Sequence, residues 1–303
     1  MAGFSFRWFG PVLKRSLSKL LNPMFDQRIV ELYQQGRYGE ACRLAKRLAV
    51  RTERQLGPQH PDVATCLNNL AGLYYVQGCR AEAESLYQRA LAIREERLGL
   101  QHLEVAASLD GLALLYYCPG HYGKAEPLYR RALAIREERL GPQHPEVATS
   151  LVRLAGLYQA LGRYGEMEPL YQRALAIYEE QLGPQHPEVV VSLDDLAGLY
   201  QALGRYEEAV PLRQRTLAIY EEQLGPQHPE VAMSLNDLAE LYQALGRYGE
   251  AEPLYQRALA ICEEQLGSQH PNTLTVREYL EALWRVMKGE YGGLPTTEVG
   301  GRR

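Results

Sequence analysis

Residues 57–98 read GPQHPDVATCLNNLAGLYYVQGCRAEAESLYQRALAIREERL, and two helical stripes are written in them. The first is Val63, Leu67, Leu70, Ala71 and Tyr74, apolar residues four, three, one and three positions apart, which is one face of a helix. The second is Ala83, Leu86, Tyr87, Ala90, Leu91 and Leu98; as a helix from Ala81 it would extend about 27 Å. Gly78 separates the two. Ahead of the first stands Gly57-Pro58-Gln59-His60-Pro61, where the glycine can end one helix in a left-handed conformation and Pro61 suits the first turn of the next.

The stretch is one copy of several. Leu-Gly recurs at Leu56-Gly57, Leu98-Gly99, Leu140-Gly141, Leu182-Gly183, Leu224-Gly225 and Leu266-Gly267, in steps of 42 residues, and Gly36, Gly78, Gly120, Gly162, Gly204 and Gly246 keep the same step. The 303 residues therefore form repeated helix pairs rather than unlike globular domains. Each pair has an apolar stripe that it cannot bury alone, so neighbours stack; the expected product is a monomeric, elongated all-α solenoid. Pro127, Pro169, Pro211 and Pro253 each remove a backbone donor near the start of a second helix, so these helices are expected to begin near Glu126 and its equivalents, or to bend there.

The repeated residues resemble the tetratricopeptide family. Its pattern of large, Leu, small, Tyr, Gly, Ala, aromatic, Ala appears as Leu67, Leu70, Ala71, Tyr74, Gly78, Ala83, Tyr87 and Ala90, and again as Leu235, Leu238, Ala239, Tyr242, Gly246, Ala251, Tyr255 and Ala258. The 42-residue unit and strings such as Leu67-Asn68-Asn69-Leu70-Ala71 are similar to the kinesin light chain subtype. The resemblance implies a right-handed superhelix of antiparallel helix pairs over residues 24–288, in about six units with a capping helix from Asn272 to Met287. Residues 289–303 are expected to be a flexible tail. The first unit, with Ile29, Leu32 and Ala45 where later ones have Ala71, Tyr74 and Tyr87, is a diverged end unit. Arg213 and Thr216 replace Tyr and Ala in the fifth unit, which implies a locally looser or more polar seam there. Kinesin light chains carry a heptad coiled coil ahead of their repeats, and nothing of the kind precedes Asp26.

Enzyme chemistry finds little purchase in so periodic a chain. GxSxG, Walker, HExxH and GxGxxG patterns are all missing. His60, His102, His144, His186, His228 and His270 fall one per unit, about 10 Å apart if units stack at helix-packing distance, whereas shared zinc ligands lie about 2.1 Å from one ion. No metal or cofactor is expected, and each His is read as a linker residue before the helix-starting proline. The pairs Glu95-Glu96, Glu137-Glu138, Glu179-Glu180, Glu221-Glu222 and Glu263-Glu264 are read as a solvated helix face, because adjacent helical residues do not face each other.

What varies between copies points to function. At the two positions before the patterned Leu the chain reads Asn68-Asn69, Asp110-Gly111, Val152-Arg153, Asp194-Asp195 and Asn236-Asp237. By the family's geometry these first-helix positions face the concave groove, as do Tyr75 and Tyr117, whose places are taken later by Gln159, Gln201 and Gln243. Tyr75 and Tyr117 admit either a binding role or simple partial burial. The expected function is a scaffold or adaptor holding a peptide or extended segment of another protein. Asp110, Asp194, Asp195, Asp237 and Glu240 aligned along the groove would favour a neutral to basic partner, with Arg153 pinning one acidic side chain.

Composition bounds the partners further. Net charge is -4, and Met1 to Phe25 holds Arg7, Lys14, Arg15 and Lys19 without an acid, so the repeats are acidic, a poor match for nucleic acid. Cys42, Cys66, Cys79, Cys118 and Cys262 form no ligand-spaced pair and read as reduced thiols, favouring a cytoplasmic setting. Residues 1–23 are basic and amphipathic. They suit a cap on the first unit, a targeting peptide, or an interfacial helix, and the last makes a membrane-anchored scaffold the alternative reading.

Overall fold

The computed structural model describes residues 27–117 and 120–289, and the expectations for residues 1–23 and Cys118 lie outside them. Among the described residues there are thirteen α-helices and no strand. First helices are α1 (Gln27–Gln34), α3 (Pro61–Val76), α5 (Leu103–Tyr117), α7 (Pro145–Ala160), α9 (Pro187–Ala202) and α11 (Pro229–Ala244). Each is followed by a second helix: α2 (Tyr38–Leu56), α4 (Arg80–Leu98), α6 (Tyr122–Leu140), α8 (Tyr164–Leu182), α10 (Tyr206–Leu224) and α12 (Tyr248–Leu266). The chain of helices closes with α13 (Pro271–Met287). The fold divides into two compact units, residues 1–170 and 171–303.

The junctions show why the elements begin and end where they do. At the end of α7 the Arg163 N–H reaches the Tyr158 carbonyl at 2.9 Å and the Gly162 N–H reaches Gln159 at 3.0 Å. This double closure needs a left-handed residue, and Gly162 has φ 68°. At the start of α7, His144 is extended and its Nδ1 accepts the Glu146 N–H at 3.1 Å, while Pro145 occupies the first turn. His60, His102, His186, His228 and His270 accept the N–H two residues on in the same way, at 3.1 to 3.2 Å. The histidine is thus the N-cap of the five first helices after α1 and of α13, a job that needs an unprotonated Nδ1.

The second helices start earlier than the prolines suggest. α6, α8, α10 and α12 begin at Tyr122, Tyr164, Tyr206 and Tyr248, leaving Pro127 and its equivalents inside the helix. Pro127 forgoes only the bond to the Gly123 carbonyl, and both residues are exposed, so water can satisfy that carbonyl.

Packing follows the apolar stripes. In the first unit Ile29, Leu32, Ala41 and Ala45 cluster with Leu70 and Leu73 of the next pair. Ala71, Ala83, Tyr87, Leu112 and Leu115 form the cluster after it. In the second unit Val189, Leu193, Ala197, Ala209, Ile219, Val231, Leu235 and Ile261 are buried.

Consecutive second helices are also tied by a recurring ion pair. Arg89 reaches Glu53 at 2.5 Å, Arg131 reaches Glu95 at 2.6 Å and Arg257 reaches Glu221 at 2.5 Å; Arg215 pairs with Glu179 likewise. The leading glutamate of these pairs is therefore an inter-repeat contact rather than a merely solvated side chain. At this exposure each is worth at most about 1 kcal/mol.

Candidate interaction surface

In the first unit the variable positions turn inward. Asn68 and Asn69 on α3 are 3% and 4% exposed, and Asn68 Oδ1 and Asn69 Nδ2 have no hydrogen-bond partner among the described residues. Asp110 on α5 is buried too, and its Oδ2 accepts from Arg136 at 2.6 Å and from Arg153 of α7. Burial works against the Arg136 charge, and the Asp110 and Glu146 carboxylates together more than offset that. Arg136 further donates to Ser150 Oγ at 2.8 Å and meets Glu146 at 3.3 Å. Beside Asp110, Gly111 leaves room for the Tyr87 ring, which a Cβ would meet at 2.3 Å. Tyr75 and Tyr117 are half-buried, the latter edge-on to Tyr122 with centroids 5.5 Å apart. Gln159 is exposed.

In the second unit the same positions build a polar network around Arg213. Asp194 accepts from Arg213 at 2.7 Å and from Thr216 at 3.2 Å, and Arg213 also lies 3.3 Å from Asp237 and 3.4 Å from Gln201. Arg213 and Thr216, standing where other repeats have Tyr and Ala, thus make this seam polar. Asp195 is 4% exposed and neither carboxylate oxygen has a hydrogen-bond partner among the described residues. Burial, and then the neighbouring Asp194 charge, push its carboxyl well above the usual range; Asp194 is raised by burial as well, with Arg213 opposing. Asn236 donates to Glu240 at 2.8 Å, and Gln243 accepts from Tyr255 at 3.1 Å.

The row of like charges expected from the sequence is therefore not what the side chains form. Asp110 sits between two guanidiniums, Asp194 and Asp237 share a third, and Asp195 favours its neutral form. The reason is burial: a carboxylate removed from water must be paired or protonated. Two of the arginines that do the pairing, Arg136 and Arg213, lie on second helices and were not among the expected site residues. The substitution of Arg213 for tyrosine was the visible signal for one of them.

The described residues hold no cluster of three His, Cys, Asp or Glu fit for a metal ion, and no described helix is long and apolar enough to cross a membrane.

Comparison with known proteins agrees with the repeat reading. The tetratricopeptide repeat model matches residues 30–78, 67–138, 122–164, 146–222, 192–264 and 230–291. No curated protein matches the chain. Among solved structures, the nearly identical TPR-like repeats of a Podosopora anserina protein assigned as a kinesin light chain are 33% identical. The match covers 68% of this chain and 97% of that one, with a TM-score of 0.61. BtubC (BKLC) from P. vanneervenii is 23% identical over 96% of this chain and 98% of its own, with a TM-score of 0.59. A Rap protein solved with competence and sporulation factor is 18% identical over 87% and 75%, with a TM-score of 0.53. With its 42-residue helix pairs, histidine caps and polar inner positions, the chain belongs to the tetratricopeptide repeat family, in its kinesin light chain-like branch, a family of protein-interaction scaffolds.

Proposed function

We propose that the chain is a non-enzymatic adaptor that holds an extended segment of a partner protein along the first helices of its repeats. One observation carries the reading. Of the nine buried side-chain polar atoms without a hydrogen-bond partner among the described residues, six, on Asn68, Asn69, Asp110, Asp195 and Asn236, fall at the two first-helix positions that vary between copies, the others being on Arg94, Arg213 and Ser234. Unsatisfied buried groups cost stability, so their concentration at these positions suits side chains that turn to meet an incoming backbone. Tyr75, Tyr117, Gln159, Gln201 and Gln243 supply accessible contact beside them. Around Arg213 the carboxylates of Asp194 and Asp237 outnumber the one guanidinium, an acidic balance that favours a neutral to basic segment in the second unit. The free thiols of Cys42, Cys66, Cys79 and Cys262 accord with a reducing, cytoplasmic setting.

The test is a titration of basic and acidic peptide libraries against the full chain at two salt concentrations. It compares the natural protein with Tyr117→Ala and with Asp237→Asn plus Glu240→Gln. Tighter binding of basic peptides, weakened by both variants, supports the reading. Preference for acidic peptides or indifference to both variants overturns it. Replacing Asp194 and Asp195 by lysine is unsuitable, since a lysine at the buried 195 position would test folding instead.

A further inference from the structure

The inter-repeat arginine–glutamate contact has an unfinished end. Arg89, Arg131, Arg215 and Arg257 each reach a glutamate on the preceding second helix. Arg47 holds the same place one repeat earlier, on α2, and no second helix precedes α2 among the described elements. Arg43, Lys46, Arg47, Arg51 and Arg54 follow at spacings of three, one, four and three, so they share one face of α2, over about 17 Å. All five are exposed, with Val50, 41% exposed, among them. They border one groove.

Little among the described residues neutralises this face, Glu40 beside Arg43 at one end being the exception. Lys46, Arg47, Arg51 and Arg54 are in no ion pair among the described residues, and the acids of α2 are engaged elsewhere, Glu40 by Arg37 and Glu53 by Arg89. Residues 1–26 carry Arg7, Lys14, Arg15 and Lys19 against Asp26 alone, so their sequence supplies no excess of acid to match this face.

We propose that this face of α2 docks an acidic helical segment of a partner protein, seated as a preceding second helix would be and presenting glutamates to Arg47 and its neighbours. The molecule itself displays the mating geometry four times, with a glutamate on one second helix meeting an arginine on the next. Exposed ion pairs are individually weak, so recognition rests on several acting together beside Val50, and it is salt-sensitive. The surface lies on a second helix, whereas the proposed groove uses first helices, so the two readings stand or fall separately.

A labelled peptide copying residues 164–182 is a suitable probe, because Glu166, Glu168, Glu179 and Glu180 outnumber Arg173 in it. Fluorescence anisotropy with the full chain should show saturable binding. That binding should weaken at least about fivefold, the contribution of one or two exposed pairs, when Arg47→Glu and Arg51→Glu are introduced together. It should weaken similarly when the peptide's glutamates are glutamines, a control that does not depend on the variant's folding, and when salt is raised. No binding, or equal affinity for both peptides or for both chains, overturns the proposal. So does binding of anionic phospholipid vesicles or of RNA that Arg47→Glu with Arg51→Glu abolishes while peptide binding is unchanged.

Discussion

Arg136 donates to Asp110 at 2.6 Å with both side chains buried, and Arg153 closes on the same carboxylate oxygen from the next first helix. One acid thus ties α5 to α6 and to α7. Asp110→Ala should leave two guanidiniums facing each other out of water and cost about 3 to 5 kcal/mol. Urea unfolding measures this. A loss below about 1 kcal/mol would mean that Arg136 and Arg153 reach solvent without Asp110.

Asp195 should act in the opposite sense. Its folded carboxyl titrates above the unfolded value near 3.8, so the folded state keeps its proton while the unfolded chain releases it. The stabilisation is complete below the unfolded value and is lost as pH rises towards the folded one. Asp195→Asn should therefore raise stability at pH 7 by about 1 kcal/mol or more and flatten its fall with pH. Asp194 will keep part of the slope. Chemical denaturation at several pH values checks the sign, and a less stable Asn variant at pH 7 would show that the Asp195 charge is compensated.

Two glycines within helices separate packing from propensity. Gly111→Ala should cost about 1 to 3 kcal/mol despite alanine's better propensity, because its Cβ would come within 2.3 Å of the Tyr87 ring. Gly156→Ala meets nothing within 4 Å and should gain about 0.5 to 1 kcal/mol. Thermal melts of the two variants should move in opposite directions.

The fold was legible because the copies after the diverged first one repeat both apolar stripes and both glycine stops, so that Ala155, at the place of Ala71 and Ala239, is fully buried as they are. Overpacking it as Ala155→Leu should cost about 1 to 3 kcal/mol, read from the same melts. The site was less legible. The positions of Asn68, Asp110 and Asp195 were visible as variation, but the groups that meet Asp110 and Asp194, Arg136 and Arg213, come from second helices at separations that periodicity does not reveal. The Arg89 to Glu53 contact was hidden similarly: both residues recur at the 42-residue step, yet only the fold brings them together across 36 positions.

The histidine caps give a junction-by-junction prediction. His144→Ala should cost about 1 kcal/mol, and His144→Asn should restore most of it by supplying an oxygen to the Glu146 N–H. Denaturation midpoints will show this, and equal midpoints for the two variants would mean that the side-chain acceptor is immaterial.

The contact that recurs between second helices also bears on how such a chain changes length. A repeat carries one half of the joint at each end, an arginine for the helix before it and a glutamate for the helix after. Excising residues 57–98 would set Leu56 against Gly99 and offer Glu53 to Arg131 in place of Glu95, the same chemical pairing. An in-register duplication brings its own matching ends in the same way. Recombination between copies can therefore lengthen or shorten the protein by whole turns of its design without having to invent a new seam.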